Sequence, residues 1–279
     1  MGHKEEFKML NKFTISSNRK ISLQDFSPVD TAKFEKKDIQ EDYLKLQERF
    51  IELQVVFSAS QKFGLLIILQ GMDCSGKDGT VKKVLNGVNP SGFVVHSFKQ
   101  PTSEELGHDY LWRAHKVTPL RGDITVFNRS YYEDVLVTRV HKTIDDKIAS
   151  RRFKEIAEFE KYLISNGTIV LKFFLHISKE FQQKKLKSRL EIPEKHWKFS
   201  LADLAERKFW DKYQEYYADM LSNCSTKQAP WYIVPADHRW FRDYVILKKI
   251  VSTMEDLKLQ FPEINGTIQQ LIQEVKESN

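Results

Sequence analysis

Cysteine is scarce in this chain of 279 residues, which contains only Cys74 and Cys224. A framework of several disulfides, as in small secreted domains, is therefore excluded. Long apolar runs are also missing: the longest, LLIIL at 65–69, is far shorter than the roughly 20 residues of a membrane-spanning helix. The pattern of a signal peptide, a charged start followed by an apolar run, is not visible in the sequence. We therefore expect a cytoplasmic protein that does not bind membranes.

Internal repeats, low-complexity blocks and Pro/Gly-rich linkers are absent as well, so several large domains are not indicated. Hydrophobic residues make up 41% of the chain, which argues against a disordered protein. The net charge of +6 is compatible with a polyanionic partner but does not require one. We expect a polar, loosely ordered N-terminal arm at 1–38 and a single domain at 39–279.

Apolar strand patterns alternate with helical patterns through this domain. Apolar residues spaced three and four apart predict a helix at 39–61. The remaining patterns predict strands at 64–71, 93–98, 123–128, 168–177 and 231–236, and helices after Lys77 and at 103–116, 145–165, 178–190 and 242–258. Such alternation indicates an α/β fold, in which a mostly parallel sheet is covered by helices on both faces.

The segment GMDCSGK at 71–77 fits the pattern G-x-x-x-x-G-K between a predicted strand and a predicted helix, which is the context of a phosphate-binding loop. Glycines let backbone N–H groups converge, while the helix N-terminus and Lys77 add positive charge. An ordinary strand-to-helix turn is the alternative. The predicted phosphate-binding positions are Gly71, Ser75, Gly76, Lys77, Asp78 and Gly79.

Two carboxylates accompany this loop. Asp78 stands where such loops usually carry the Ser or Thr that binds Mg²⁺, and we favour a capping or structural role for it because carboxylates favour helix N-termini. Asp73 lies inside the loop. Since Mg²⁺ prefers carboxylate, water and phosphate oxygens, we expect Asp73 to bind the metal. The alternative is that Asp73 only caps the turn.

A second polar cluster lies in DITVFNRSYYED at 123–134, where a predicted strand delivers Asn128, Arg129 and Ser130 to its carboxyl end. Ligands sit at that edge of open parallel sheets. Arg129 can bind phosphate oxygens through two N–H groups. Glu133 and Asp134 follow one turn later, where they could hold a metal or a nucleotide group. The alternative is a strand end before a surface helix.

A third feature is the basic stretch KKLKSRLEIPEKHWKF at 184–199. A run of charges is usually a solvated helix face. The alternative is a lid at about 184–215 that folds over a polyanion, brings Arg189 to a transferring phosphoryl group and binds further phosphates through Lys195 and Lys198. Closure of such a lid would exclude water, which otherwise competes as acceptor.

These segments resemble the polyphosphate kinase 2 family. The similar stretches, from about residue 39 to 258, include LQGMDCSGKDGTVKKVLNGVNPSG, HDYLWRAHK, FNRSYYEDVLVTRVH, PEKHWKFS and APWYIVPADHRW. The resemblance implies a three-layer P-loop kinase fold of the thymidylate kinase type with a helical lid. It also implies reversible phosphoryl transfer between inorganic polyphosphate and nucleotides with Mg²⁺ or Mn²⁺.

The resemblance also implies roles for individual residues. Asp73 would hold the metal, Lys77 and Arg129 would contact the transferring phosphates, and Arg189 would be the arginine of the lid. Arg113 would bind the nucleotide phosphate. The family forms dimers and tetramers, so a homo-oligomer is expected.

The sequence Asn128-Arg129-Ser130, followed by Glu133, resembles the third class of the family, whose members phosphorylate nucleoside mono- and diphosphates. AMP and ADP, with purines preferred, are then the expected acceptors and ATP the final product, and Asn128 and Glu133 join Arg113 as nucleotide-binding candidates. An amide at 128 is a weaker metal ligand than a carboxylate.

Other functions stay open at this point. They are an ADP-specific polyphosphate phosphotransferase, an ATP-dependent nucleoside monophosphate kinase, and a polyanion- or nucleic-acid-binding module with a degenerate loop. The last is the weakest because Lys77 and Arg129 are both present, and we expect no nucleic-acid partner.

Overall fold

The computed structural model describes residues 9–17, 19–263 and 267–278. Its strands are β1 (Gly64–Gln70), β2 (Phe93–Ser97), β3 (Ile124–Asn128), β4 (Thr168–His176) and β5 (Trp231–Pro235). Its helices are α1 (Lys36–Ser60), α2 (Lys77–Val84), α3 (Ser103–Leu106), α4 (Trp112–His115), α5 (Glu133–Val140), α6 (Asp146–Ser165), α7 (Lys179–Glu191), α8 (Leu201–Arg207), α9 (Trp210–Cys224), α10 (Arg239–Asp256) and α11 (Ile268–Glu277). Short 3₁₀ helices cover Leu23–Asp25, Pro90–Gly92 and Pro193–Lys198.

All strand pairs in the five-stranded sheet are parallel, and the strand order is β2-β3-β1-β4-β5. The strand β1 lies at the centre, and all seven of its residues are buried. Its neighbour β3 pairs in a register that sets Leu69 opposite Asn128. The segments after β1 and β3 therefore leave the sheet side by side at its carboxyl edge. The predicted α/β fold, a parallel sheet flanked by helices, is confirmed.

The predicted helix at 103–116 is two short helices, α3 and α4. The N–H of Gly107 bonds to the carbonyls of Ser103 and Glu104, which ends α3. Asp109 then accepts the N–H groups of Leu111 at 3.0 Å and Trp112 at 3.1 Å, which starts a new turn. One local side-chain cap thus overrides the apolar periodicity of the segment.

The N-terminal segment is packed rather than loosely ordered in the residues that the structure describes, so that expectation was wrong there. Phe13 and Ile15 are buried, and the Ile15 N–H donates to the carbonyl of Trp231 at 2.9 Å. The segment thus adds an antiparallel bridge to β5 through Thr14 and Tyr232. Residues 1–8 and 18 lie outside the described residues, and the division of the chain at residue 38 stays a prediction. Within the described ranges, none of the helices has the length and apolarity to cross a membrane.

Candidate active site

The loop between β1 and α2 has the geometry of a phosphate-binding loop. Gly71 and Gly76 have φ angles of 150° and 93°, which side chains with a Cβ atom rarely adopt. Lys77 is the first residue of α2, and its Nζ atom donates to the carbonyls of Gly71 at 2.7 Å and Met72 at 3.2 Å. The lysine therefore folds back over the loop that its own helix follows, and its contact with phosphate stays a prediction.

Lys77 is a buried cation, and this changes its acid–base behaviour. Burial, and after it the charge of Arg129, lowers the pKa of the Lys77 ammonium from 10.5 to about 8. The nearby carboxylates of Asp73, Glu133 and Asp78 act in the opposite direction but do not cancel the cost of burial. An anion bound in the loop would restore the charged form, so this site favours a phosphate group.

Arg129 lies directly beside the loop. Its backbone adopts the left-handed conformation at φ 64°, and its N–H bonds to the carbonyl of Leu69 at 3.0 Å. This strained conformation for a residue with a Cβ atom turns the side chain toward Asp73, whose Oδ1 accepts from Nη2 at 2.5 Å. The carboxylate of Glu133 lies 3.8 Å from Nη1. The two predicted site residues Arg129 and Asp73 thus form an ion pair.

Asp78 contacts the end of the neighbouring strand β3. Its Oδ1 accepts a hydrogen bond from the side-chain amide of Asn128 at 2.5 Å. The contact joins the start of α2 to the end of β3, and it occupies groups for which phosphate and nucleotide binding are predicted. It supports the structural role expected for Asp78, and the ligand roles of both residues stay predictions.

Glu133 is held at the first turn of α5 by a residue that the sequence analysis missed. Gln70, the last residue of β1, donates its side-chain amide to Glu133 and accepts from the Ser130 hydroxyl at 3.3 Å. Burial raises the pKa of Glu133 above its ordinary value. A glutamine at the end of a strand is the only signal in the sequence, because its partners come from a segment about 60 residues later.

Arg113 does reach the site, but its guanidinium is largely occupied. It donates to Asp134 Oδ2 at 2.8 Å and to the carbonyl of Lys99 at 3.0 Å, and it is 6% exposed. Arg152, which the sequence analysis did not consider, donates to the backbone carbonyl of Asp134. Asp134 therefore anchors two arginines in the wall of the site, and a contact between Arg113 and nucleotide phosphate stays a prediction.

The lid segment begins on α7, which Ser178 caps by accepting the Phe181 N–H at 3.0 Å. Gln182 in the first turns of α7 donates to the backbone carbonyl of Asp73 at 3.0 Å. Its own side-chain oxygen accepts from Arg207 of α8 at 2.6 Å. The base of the predicted lid is thus hydrogen-bonded directly to the phosphate loop.

Arg189 is held inside the lid. Its Nη1 donates to Asp203 Oδ2 at 2.6 Å and to the carbonyl of Lys198 at 2.9 Å. Burial is the largest cause that raises the pKa of Asp203, and the charge of Asp73 is the second. The charge of Arg189 and its hydrogen bond lower this pKa. Nothing in the local sequence marked Asp203, since it is an ordinary acidic residue near the start of a helix.

The two lid lysines make contacts within the lid. Lys195 Nζ donates to the Ser188 hydroxyl at 3.1 Å, and Lys198 Nζ lies 4.9 Å from the centre of the Trp197 ring. Trp197 is 78% exposed, so this end of the lid is open to solvent. Phosphate binding by Lys195 and Lys198 stays a prediction.

A cavity of about 940 Å³ connects these groups. It extends from the loop past Arg129 and Glu133 to α3, α5 and α6, and Glu206 and Tyr213 belong to its wall on the lid side. Glu206 bonds to His141, the residue that follows α5, at 2.8 Å and accepts from Tyr213 at 2.6 Å. Residues of the predicted lid segment thus form part of the wall of a cavity that is large enough for a nucleotide.

The site fits a metal that is shared with a phosphate ligand. Within the described part of the chain, no group of three or more His, Cys, Asp or Glu could hold a metal ion by itself. Asp73 offers a carboxylate that is 23% exposed at the edge of the cavity. Mg²⁺ usually takes one or two carboxylates together with water and substrate phosphates, and Asp73 meets that requirement.

Comparison with known proteins agrees with this geometry. The family model described as Polyphosphate kinase 2 (PPK2) matches residues 33–262. A Meiothermus ruber protein named AMP/ADP-polyphosphate phosphotransferase is 43% identical over 256 residues, which cover 91% of this chain and 96% of that protein. A Rhodopseudomonas palustris protein named ADP-polyphosphate phosphotransferase is 42% identical over 265 residues, or 90% of this chain and 92% of that one.

A solved structure is similar over nearly the whole chain. The crystal structure of Polyphosphate Kinase 2 from Arthrobacter aurescens TC1 superposes with a TM-score of 0.91 at 37% identity and covers 96% of each chain. A family model that matches most of the chain, two relatives above 40% identity and this superposition agree with one another. The chain belongs to the polyphosphate kinase 2 family.

Proposed function

We propose that the protein transfers the terminal phosphoryl group of inorganic polyphosphate to AMP and to ADP, reversibly, with Mg²⁺ or Mn²⁺ as the metal. One observation carries this function: Asp73 and Arg129 pair in the wall of a nucleotide-sized cavity at the carboxyl edge of the sheet, and Lys77 bonds to the carbonyls of Gly71 and Met72 in the same wall. Family membership supplies the donor, because the arrangement alone is equally compatible with ATP.

The reaction needs positioning and charge neutralisation rather than covalent chemistry by the protein. A phosphate oxygen of the nucleotide attacks the terminal phosphorus of the chain, and the bond from that phosphorus to the bridging oxygen breaks. The electron pair leaves with the shortened polyphosphate. Because the attacking oxygen is already ionised, a general base is not required.

Several groups of this chain would neutralise the negative charge of the phosphates. The N–H groups of the loop and Lys77 hold the end of the polyphosphate. Asp73 is expected to exchange its ion pair with Arg129 for the metal, which would neutralise phosphate charge there. Arg129 is then available for the transferring phosphoryl group, since its guanidinium is 40% exposed and lies beside the loop.

Use of both AMP and ADP is proposed from Asn128 and Glu133 and from the name of the Meiothermus ruber relative, which includes both nucleotides. The Rhodopseudomonas palustris relative is named for ADP alone. The cavity extends well beyond Arg129 and therefore has room for the nucleotide. We further propose that purines are preferred and that the protein works in the cytoplasm as a dimer or tetramer.

The donor is tested by offering ADP as the only nucleotide, with long-chain polyphosphate and Mg²⁺. Formation of ATP in excess of a reaction without polyphosphate supports the proposal. An ATP-dependent AMP kinase would instead form the same amount of ATP with and without polyphosphate, because it converts two ADP into ATP and AMP. A binding module would form no product at all and would show only salt-dependent binding.

Arg189 is expected to act on the rate and not on folding. Replacing Arg189 with alanine should lower kcat by about 10²-fold, because the developing charge on the phosphoryl group loses one donor. Lys187→Ala is the matched control, since this lid lysine is 72% exposed and pairs with Glu191. A melting temperature that collapses in Arg189→Ala, with kcat per folded protein unchanged, would contradict the catalytic role.

The lowered pKa of Lys77 predicts a pH dependence of donor binding. Below pH 8 the free protein already carries the charged ammonium, and above it the lysine is neutral. Bound phosphate favours the charged form, so binding above pH 8 takes up a proton. Affinity should then fall by up to about tenfold per pH unit. Calorimetry with tripolyphosphate between pH 7 and 9.5 measures this, and a constant affinity over that range would count against it.

A further inference from the structure

Arg242 contacts the phosphate loop and is not one of the predicted site residues. It belongs to the first turns of α10, the helix that follows the last strand, and it is 2% exposed. A buried guanidinium is expensive unless its hydrogen bonds are made. The partners of Arg242 therefore indicate what it is there to hold.

Those partners join three elements. Arg242 Nη1 donates to the backbone carbonyl of Ser75 in the loop at 3.1 Å. Its Nε and Nη2 atoms lie 2.8 and 2.7 Å from Oδ1 of Asp243, the next residue on α10. The same Oδ1 accepts from the hydroxyl of Thr80 on α2 at 3.3 Å. The loop, α2 and α10 are thereby fixed to one another at a single buried ion pair.

The guanidinium also occupies the space beside Gly76. A Cβ atom added to Gly76 would lie 2.0 Å from Arg242 Nη1, which is an impossible contact. Gly76 has φ 93° as well, so its glycine serves both the left-handed backbone and the approach of the arginine. The loop and the guanidinium therefore fit together at the Ser75–Gly76 peptide, one residue before Lys77.

This contact bears on phosphate binding because of the direction of the loop peptides. When the Ser75 carbonyl is held by Arg242, the Ser75–Gly76 peptide cannot rotate freely, and its N–H keeps one direction. A buried ion pair is weak evidence for stability, since apolar residues often replace one at no cost. Fixing the orientation of a phosphate-binding peptide gives this pair a role that apolar residues cannot supply.

We propose that Arg242 is a positioning residue for the donor: it holds the Ser75–Gly76 peptide in the orientation that binds the terminal phosphates. Asp243 orients Arg242 in turn. The proposal rests on the proposed function insofar as polyphosphate is the donor. Because Arg242 would act on the donor site alone, its replacement should change the KM for polyphosphate and not the KM for ADP.

The test compares Arg242→Met, Arg242→Lys and Lys248→Met. Methionine keeps an unbranched apolar stem and removes the hydrogen bonds, while lysine keeps the charge. Lys248 is the matched control, because it is also a buried cation of α10 and pairs with Asp42 at 3.1 Å, away from the loop. Steady-state kinetics are measured with polyphosphate and ADP varied in turn, and melting temperatures are recorded for all variants.

Arg242→Met should raise the KM for polyphosphate by about tenfold or more and lower kcat, with the KM for ADP unchanged, because misplaced binding groups weaken both binding and reaction of the donor. Arg242→Lys should recover part of this loss. Lys248→Met should change only the melting temperature. If the KM values for polyphosphate and ADP change equally in Arg242→Met, the role is purely structural and the proposal is overturned. The same holds if neither KM value changes while the melting temperature falls.

Two further measurements keep the proposal testable in every case. If Arg242→Met does not fold, Asp243→Asn keeps the shape of the pair and should raise the KM for polyphosphate alone, and a normal value overturns the proposal. If the wild-type protein shows no polyphosphate-dependent activity, the proposed function fails by itself. Calorimetry with tripolyphosphate then still separates the two questions, since Arg242→Met should bind it at least about tenfold more weakly than wild type.

Discussion

Replacing Lys77 with alanine is expected to lower polyphosphate-dependent turnover by at least about 10²-fold, because a preorganised cation aimed at the transferring phosphates is lost. The structure gives this residue no obvious second task. Its Nζ atom contacts carbonyls of its own loop, and its charge is costly where it lies, as the lowered pKa shows. Removing a penalised buried charge should therefore leave stability nearly unchanged or improve it while activity collapses.

The measurement is kcat/KM for polyphosphate with ADP as acceptor, together with the melting temperature. Lys83→Ala is the control, since Lys83 lies on the same helix with an exposed side chain. It should react at close to the wild-type rate. A Lys77→Ala protein with near-normal turnover would remove the loop from the reaction and contradict the assignment of the site.

Asp73→Asn is expected to have the second large effect, a drop in turnover of at least about 10²-fold at a fixed low Mg²⁺ concentration. An amide keeps the size of the side chain and its hydrogen bond to Arg129 but is a weaker metal ligand. If the metal is held by Asp73 and by substrate phosphates, raising the Mg²⁺ concentration should recover part of the activity. A loss that does not depend on Mg²⁺ would place the role of Asp73 in the ion pair with Arg129 and not at the metal.

Asp78→Asn provides the comparison for this experiment. Asp78 is also a carboxylate of the loop region, but its side chain faces the amide of Asn128. The Mg²⁺ concentration needed for half-maximal activity should match that of wild type in this variant, and the melting temperature should fall. A raised Mg²⁺ requirement in Asp78→Asn would show that both carboxylates reach the metal.

The two carboxylates also explain why acidic residues surround an anion site. Asp73 pairs with Arg129, and Asp78 bonds to Asn128, so each carboxylate holds a side chain at the end of the neighbouring strand. The loop, the strand ends and these residue types were predictable from the sequence. They depend on short spacings and on the rule that carboxyl ends of parallel strands meet at one edge.

The parts that were not predictable are contacts between distant segments. Arg242 reaches the loop from a helix 167 positions along the chain from its partner Ser75, and Gln182 reaches Asp73 across 109 positions. Asp203 of α8 holds Arg189 of α7 across 14 positions. No local periodicity or motif encodes such contacts, because they follow from how the helices pack on the finished sheet.

The packed N-terminal segment has the same origin. Its residues look polar and irregular in sequence, yet Ile15 bonds to Trp231 and the side chain of His176 contacts the carbonyl of Phe26 at 3.0 Å. Segments without a periodic pattern can still be ordered when an edge strand offers backbone partners. The sequence pattern reports amphipathic elements well and such edge contacts poorly.

The most direct measurement supplies the purified protein with long-chain polyphosphate and Mg²⁺, adds AMP to one reaction and ADP to another, and quantifies the nucleotides over time. We expect ATP in both reactions, with ADP appearing first in the reaction that starts from AMP. The central claim is contradicted if neither reaction forms a new nucleotide that depends on polyphosphate but ADP forms when ATP and AMP are supplied together. That result would identify an ATP-dependent monophosphate kinase.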